Sequence, residues 1–178
     1  PTDLEICRRI RSRSVPLSSL CEVDTGLVAH GPKGGKARLM RAGPGPGIVP
    51  FADARDLFAG KRGWLRYAAD EMHRPKRPSM FEVPKLVVQR IRGRKPPRSC
   101  VDREGVYVGH TCLVALPRPA SQIDLDALQR LVSSPLLDAV SRIERGDRLD
   151  LYPKDLAAWP VPVDYVRGNG SSIEEALG

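Results

Sequence analysis

The sequence predicts an α+β fold. We expect a single domain with a twisted, mostly antiparallel or mixed sheet in the first two-thirds and helices toward the C-terminus. Short β-branched runs separated by Gly and Pro fill the first two-thirds of the chain, and helical spacing of apolar residues begins only near Asp124. The 178 residues are 41% apolar, which is enough for one sizeable core, and only 5% are aromatic, so that core must be mainly aliphatic.

The strand predictions follow the order of the chain. Residues 16–28 are predicted to be a turn or short helix that enters a strand. Residues 85–91 are β-branched and largely apolar, which is typical of a central strand. Residues 110–116 form a second clear strand, and residues 99–102 and 106–108 look like the two arms of a hairpin. Shorter strands or extended segments are predicted at residues 48–51, 64–68 and 149–152.

The helix predictions are strongest after Asp124. Asp124 is a plausible N-cap for a helix over residues 124–132, and Pro135 occupies the first position of a second helix that Gly146 ends. The apolar faces of these two helices are predicted to be core, namely Leu128, Leu131, Leu136, Leu137, Val140 and Ile143. Shorter helical turns are expected at residues 3–13, 53–58 and 153–159.

The predicted organisation has three parts: an N-terminal arm or linker at residues 1–15, the domain at residues 16–162, and a tail at residues 163–178. No apolar run reaches the roughly 18 residues that span a bilayer, and no signal peptide is evident, so a cytoplasmic location is expected. The four cysteines lack C-x-x-C spacing, which favours small buried hydrophobic residues over a disulfide or a zinc site.

Positive charge is concentrated between Lys61 and Arg98. This segment holds twelve Lys/Arg and three acids, so its net charge is +9, whereas the whole chain carries +8. Such a concentration is typical of a surface that binds a polyanion, usually DNA or RNA. We expect this cationic band to fold into a single face that lies along a double helix.

The candidate DNA-binding residues come from this band, from the Gly-rich loop at residues 31–36 and from Arg38 just after that loop. That loop lacks the spacing of a phosphate-binding Walker motif and is interpreted as a flexible basic loop. Arg can bridge guanine, Gln can bridge adenine, and Lys mostly binds phosphate, but the sequence does not show which side chain reads a base. The candidates are Lys33, Lys36, Arg38, Arg62, Arg66, Arg74, Lys76, Arg77, Gln89, Arg90, Arg92, Arg94, Lys95 and Arg98. Arg90 has a structural ion pair as its alternative role.

Four phrases in the C-terminal half occur in a particular order, at residues 81–91, 102–107, 128–137 and 149–162. In this order they resemble the target-recognition (specificity) domain found C-terminal to TaqI-like adenine-N6 DNA methyltransferases and in related restriction–modification enzymes. The resemblance covers roughly residues 16–162 and includes a Gly at the end of the first strand, here Gly26. Ser133 and Ser134 stand where that family usually has Asn-Ser.

The resemblance implies a division of labour. The chain would read double-stranded DNA, and a methyltransferase catalytic domain, in cis or in trans, would hold S-adenosylmethionine and carry out the chemistry. In agreement, the sequence contains no Asn-Pro-Pro motif. We therefore expect no catalytic residue, no metal and no cofactor in this chain, and no membrane partner.

Two alternatives remain at this stage. The same charge could serve a non-enzymatic RNA-binding protein, or, with less support, a small nuclease could assemble a site from scattered residues. His30, His73 and His110 do not cluster in the sequence and are assigned structural or solvent roles. Tyr152 and Trp159 are expected to fasten the C-terminal segment to the core.

Overall fold

The computed structural model describes residues 2–31, 34–91, 95–146, 148–168, 172, 173 and 175. The strands are β1 (Val15–Pro16), β2 (Cys21–Thr25), β3 (Met40–Arg41), β4 (Ile48–Ala52), β5 (Gly63–Arg66), β6 (Lys85–Gln89), β7 (Ser99–Asp102), β8 (Tyr107–Val108), β9 (Cys112–Pro117) and β10 (Pro160–Val161). The helices are α1 (Asp3–Ser12), α2 (Ala54–Leu57), α3 (Leu125–Val132), α4 (Pro135–Arg145), α5 (Pro153–Ala157) and α6 (Val163–Val166).

The central sheet has the order β2-β9-β6-β7, and every neighbouring pair in it is antiparallel. Along β6, Leu86 and Val88 face the core on one side of the sheet, and Val87 faces the core on the other side. A strand that is buried on both faces reads as a continuous apolar run, because neither set of alternating side chains meets water. The prediction of a central strand here is confirmed.

A second sheet with the order β3-β5-β4-β8 packs against one face of the central sheet. Its β4 and β8 are parallel, whereas its other pairs are antiparallel. The core between the two sheets includes Leu27, Phe51, Leu65, Val87 and Val114, which are all almost completely buried. Helices α1, α3, α4, α5 and α6 cover the opposite face of the central sheet, whereas the short α2 lies on the side of the second sheet. The domain therefore has three layers, and the predicted α+β class is confirmed.

The helical layer is built from both ends of the chain. Asp124 caps α3 by accepting a hydrogen bond from the backbone N–H of Asp126, and Ser134 caps α4 in the same way. Trp159 is 2% exposed in this core. The N-terminal helix α1 also belongs to the layer, because Cys7 and Ile10 are buried in it. Strand β1 then pairs with β10, which ties the two terminal segments together.

The predicted hairpin at residues 99–108 is wrong. Strand β7 pairs with β6 in the central sheet, and β8 pairs with β4 in the second sheet, so the chain crosses between sheets at this point. Asp102 causes the turn, because its buried carboxylate accepts hydrogen bonds from the N–H groups of Glu104 and Val106 and pairs with Lys85. Gly105, at φ 75°, completes the turn.

Ile143 is also predicted wrongly, since it is 45% exposed. In α4 the buried positions are Leu137, Asp138, Val140 and Ser141. The buried face of the helix therefore includes two polar residues, Asp138 and Ser141, which the apolar pattern did not include. The four cysteines are free, and Cys7, Cys21 and Cys112 are buried, as predicted. Among the described residues, no helix combines the length and apolar character needed to cross a membrane.

Candidate nucleic-acid interface

The two ends of the central sheet differ, and the candidate site lies at one of them. We call the end where β2 and β6 finish and β9 begins the Gln89 end, and the opposite end, where Lys85 pairs with Asp102, the Lys85 end. Gly26 follows β2 at the Gln89 end. A Cβ at Gly26 would lie 2.3 Å from the carbonyl oxygens of Val108 and Gly109, so only glycine allows this close crossing.

Two loops meet at the Gln89 end through backbone hydrogen bonds. The N–H of Val28 donates to the carbonyl of Arg74 at 3.0 Å, and the N–H of His73 donates to the carbonyl of His30 at 2.9 Å. The imidazoles of His30 and His73 are therefore held side by side, with ring centres 6.2 Å apart and planes inclined by 9°. Arg74 is exposed, and its guanidinium forms no hydrogen bond or ion pair with any residue that the structure describes.

A third histidine reaches the same place from the turn before β9. The ring centre of His110 lies 6.1 Å from that of His30, with the planes nearly perpendicular. Arg90, just after β6, donates a hydrogen bond to the carbonyl of His110 at 3.5 Å. The Arg90 guanidinium also lies 5.1 Å from the ring centre of Tyr152 and 3.4 Å from a carboxylate oxygen of Asp150. Arg90 thus has the structural ion pair that was the alternative to base reading.

A small cavity of about 110 Å³ opens between these loops, and His30 and His110 form part of its wall. Lys36 also lines it, paired with Asp53 and with its ammonium 5.3 Å from the centre of the Phe51 ring. We refer to the cationic and imidazole side chains of this cavity and of the loops that meet beside it as the Gln89-end cluster. Its members are His30, Lys36, His73, Arg74, Arg90 and His110.

Many of the other predicted DNA-binding residues are paired with carboxylates of the protein itself. Arg38 and Arg66 share Glu71, and hydrogen bonding from Arg66, joined by Arg38, lowers the pKa of Glu71. Further pairs are Arg62–Glu104, Lys76–Asp24 and Arg77–Glu22. Exposed ion pairs such as Arg62–Glu104 and Arg77–Glu22 contribute about 0–1 kcal/mol each, so a phosphate can compete for the cation.

The expectation that the cationic band forms one face is wrong. Lys76 and Arg77 lie along β2, at one edge of the central sheet, because their partners Asp24 and Glu22 belong to that strand. Arg62 lies at the other edge, because its partner Glu104 belongs to the turn after β7. The sequence places these cations within 16 positions, but β6 and β9 separate them in the fold.

Three further candidates lie at the Gln89 end without belonging to the cluster. Gln89 is half-buried at the end of β6, and Lys95 is exposed. Arg98 stacks on the ring of Phe58, 4.9 Å from its centre, and donates to the Phe58 carbonyl. Lys33, Arg92 and Arg94 lie outside the described residues, so their predicted roles stay predictions.

The histidines are the part of the cluster that the sequence interpretation missed. His30 follows β2, and His110 precedes β9, and these two strands are antiparallel neighbours. The end of one strand and the start of an antiparallel partner lie at the same end of a sheet. A prediction that β2 pairs with β9 would therefore have placed His30 and His110 at the same end of the sheet. Tyr152 was assigned to the core but is 41% exposed beside Arg90.

The cysteines and acids do not form a comparable reactive site in the described part of the chain. Burial raises the pKa of Cys100 to about 11 and the pKa values of Cys21 and Cys112 to about 12, so these thiols stay protonated near neutral pH. Within the described ranges, no group of three or more His, Cys, Asp or Glu residues is arranged to hold a metal ion.

No protein-family model and no curated protein matches this sequence. Among solved structures, the chain is similar to the HsdS subunit from Thermoanaerobacter tengcongensis, with a TM-score of 0.48 and 13% sequence identity. The match covers 98% of this chain and 47% of that one, so the chain spans about half the length of the solved protein. At this level the match is a likeness between two chains and supports no functional statement.

Proposed function

We propose that this chain is a DNA-sequence-recognition domain of an adenine-N6 methyltransferase of a restriction–modification or phage-defence system. The observation that carries the proposal is the Gln89-end cluster, in which cationic and imidazole side chains from four separate segments converge at one end of the central sheet. The order of the sequence phrases at residues 81–91, 102–107, 128–137 and 149–162 supports the same assignment.

The cluster is suited to a nucleic-acid backbone because its geometry is fixed before binding. Backbone hydrogen bonds between the loops of His30 and His73, and from Arg90 to the carbonyl of Thr111 at 3.0 Å, attach it to β2, β6 and β9. Rigid placement reduces the entropy lost on binding. Arg74 and Lys36 would contact phosphates, and loop side chains beside them would reach base edges in the major groove.

The proposed chemistry belongs to a partner. A methyltransferase domain, fused to this chain or separate, would bind S-adenosylmethionine and transfer the methyl group. This chain would deliver the DNA and would not be an enzyme by itself. Incubation of the isolated chain with duplex DNA and labelled S-adenosylmethionine should give no methylated product, and product formation would contradict the proposed division of labour.

The decisive experiment compares two arginines of one loop, Arg74 and Arg77. Both are exposed, but Arg77 is paired with Glu22 at the sheet edge, whereas Arg74 belongs to the cluster. Arg74→Ala should weaken binding to a short duplex by about tenfold and reduce the slope of log Kd against log salt by about one. Arg77→Ala is the matched control and should change Kd by less than about twofold.

Three outcomes would contradict the proposal. Binding that does not depend on salt would show that phosphates are not the ligand, because release of counterions makes phosphate binding salt-dependent. Preference for structured RNA over duplex DNA in a competition assay would favour the RNA-binding alternative. Equal losses from Arg74→Ala and Arg77→Ala would place the interface elsewhere on the protein.

A further inference from the structure

The chain contains three histidines, and the structure brings all three together. They come from positions 30, 73 and 110, in three separate loops, and adjacent ring centres are 6.1 and 6.2 Å apart. His30 and His73 are exposed and His110 is half-buried. None of the three imidazoles forms a side-chain hydrogen bond with a described residue, so their ring nitrogens are not committed to structural partners.

The charged groups around the rings come from every neighbouring segment. Lys36 and Asp53 form an ion pair at the shared cavity, and Arg74 follows His73 directly.

The other charged groups near the rings are paired with each other. Arg90 contacts the His110 backbone and is paired with Asp150. Glu71, two residues before His73, is paired with Arg38 and Arg66. The nearby acids are thus already paired, whereas the Arg74 charge is not.

The unpaired Arg74 cation and the uncommitted imidazole nitrogens suit an anion as the ligand of this place. A phosphate group placed among the three imidazoles would attract their protonated forms and accept hydrogen bonds from the ring N–H groups. Histidine is the side chain that ordinarily changes charge between about pH 5 and pH 8. Binding of a phosphate at this place would therefore favour uptake of protons by the protein.

We propose that His30, His73 and His110 form a proton-coupled phosphate site that binds a backbone phosphate of the nucleic acid. The site rests on the proposed DNA-binding function and names the contact that makes that binding depend on pH. No electrons and no covalent bonds change. The balance is one phosphodiester bound and about one proton taken up from solvent by the imidazoles.

The experiment measures the affinity of the whole chain for a short mixed-sequence duplex, by fluorescence anisotropy, at constant ionic strength and with EDTA present. If one proton is taken up on binding throughout this range, Kd should fall by about tenfold for each pH unit between about pH 8 and about pH 6. In the double variant His30→Gln/His73→Gln, which retains hydrogen-bonding side chains of similar size, the change over the same range should be less than about threefold.

Two controls keep the pH effect specific to the cluster. Arg118→Gln removes a cation that directly follows β9, at the Lys85 end, and should leave both Kd and its pH dependence unchanged. Calorimetric titration of the unaltered protein in two buffers with different ionisation enthalpies measures proton uptake directly. It should give about one proton per duplex bound, and it does not depend on the folding of any variant.

The outcomes separate this inference from the proposed function. Salt-dependent binding with a Kd that is independent of pH, or with no proton uptake, would overturn the phosphate site and leave DNA recognition standing. A pH effect that survives in the His30→Gln/His73→Gln variant, or one seen only when EDTA is omitted, would also overturn it. The last result would point to a metal ion. Absence of salt-dependent binding at every pH would refute both proposals.

Discussion

The two ends of the central sheet carry positive charge in opposite ways. At the Lys85 end, Lys85 is completely buried and its charge is paired with Asp102. At the Gln89 end, the Arg74 guanidinium and the rings of His30 and His73 have no hydrogen-bonding side-chain partner among the described residues. One basic segment of sequence supplies Lys85, His73 and Arg74. Counting basic residues in the sequence therefore indicates a binding surface only after the cations that pair with carboxylates of the protein itself have been excluded.

The ion pair at the Lys85 end is a structural element. The ammonium of Lys85 donates to the carbonyl of Phe81 and to Asp102, which also accepts from the turn that leads to β8. Burial lowers the pKa of Lys85, and hydrogen bonding to Asp102 opposes that shift. The ammonium of Lys85 therefore depends on Asp102 to remain charged inside the protein.

The largest predicted effect comes from breaking this pair. Asp102→Ala leaves the Lys85 ammonium buried without a counterion and frees the turn amides, so the free energy of unfolding should fall by about 3–5 kcal/mol. Urea denaturation, monitored by circular dichroism, measures this loss of stability. The apolar double variant Lys85→Met/Asp102→Leu should recover part of the loss, because it leaves no buried charge unpaired.

DNA binding by these variants tests whether the Lys85 end is separate from the interface. Under conditions in which each variant remains folded, Kd for the duplex should match that of the unaltered protein within about twofold. A loss of less than about 1 kcal/mol in Asp102→Ala would show that the pair is not a structural requirement. A large rise in Kd would show that the Lys85 end contacts DNA.

Much of the fold could be predicted because local sequence and tertiary structure agree. Strand β6 is buried on both faces and reads as an apolar run, and α3 and α4 begin at the capping residues Asp124 and Ser134. The hairpin at residues 99–108 failed because the carboxylate of Asp102 binds the amides of the turn and directs the chain to the other sheet. A long-range ion pair with Lys85 decides that path, and local patterns do not report it.

The site was harder to predict than the fold. Arg74 and Lys36 were identified from charge, but the same criterion selected Arg62 and Arg77, which the fold places at opposite edges of the central sheet. His30 belongs to the cluster only because β2 pairs with β9, and strand pairing is not visible in composition. Membership of the Gln89-end cluster therefore depends on topology more than on residue type.

A second prediction concerns the carboxylates that pair with the cations of the protein. Glu71 holds Arg38 and Arg66 close to His73, and because these arginines lower its pKa, it is ionised at neutral pH. Its stabilising contribution is present at neutral pH and is lost only as the pH falls through that lowered value. Glu71→Gln should release both arginines and lower Kd for the duplex by about threefold at low salt.

The matched control is Glu22→Gln, which releases Arg77 at the edge of the sheet near the Lys85 end. It changes the net charge by the same amount, so any general electrostatic attraction is equal in the two variants. Kd should then change by less than about 1.5-fold in Glu22→Gln. If both substitutions strengthen binding equally, net charge alone controls affinity and the two ends do not differ.

The smallest predicted effect concerns Arg62, which the charge pattern selected for DNA binding. Its side chain is 50% exposed and that of its partner Glu104 is 65% exposed, so the pair is solvated. Arg62→Gln should change the free energy of unfolding by less than about 0.5 kcal/mol and Kd for the duplex by less than about twofold. Urea denaturation and fluorescence anisotropy measure the two quantities in one preparation.

This small effect is informative because Arg62 and Arg74 are both exposed arginines of the same basic segment. If charge density along the sequence determined the interface, the two substitutions would weaken binding equally. If the fold determines it, only Arg74 should matter, because it lies beside His73 at the Gln89 end, whereas Arg62 lies beyond β7. Equal losses of DNA affinity would show that DNA contacts both places. They would support the single cationic face, which the fold argues against.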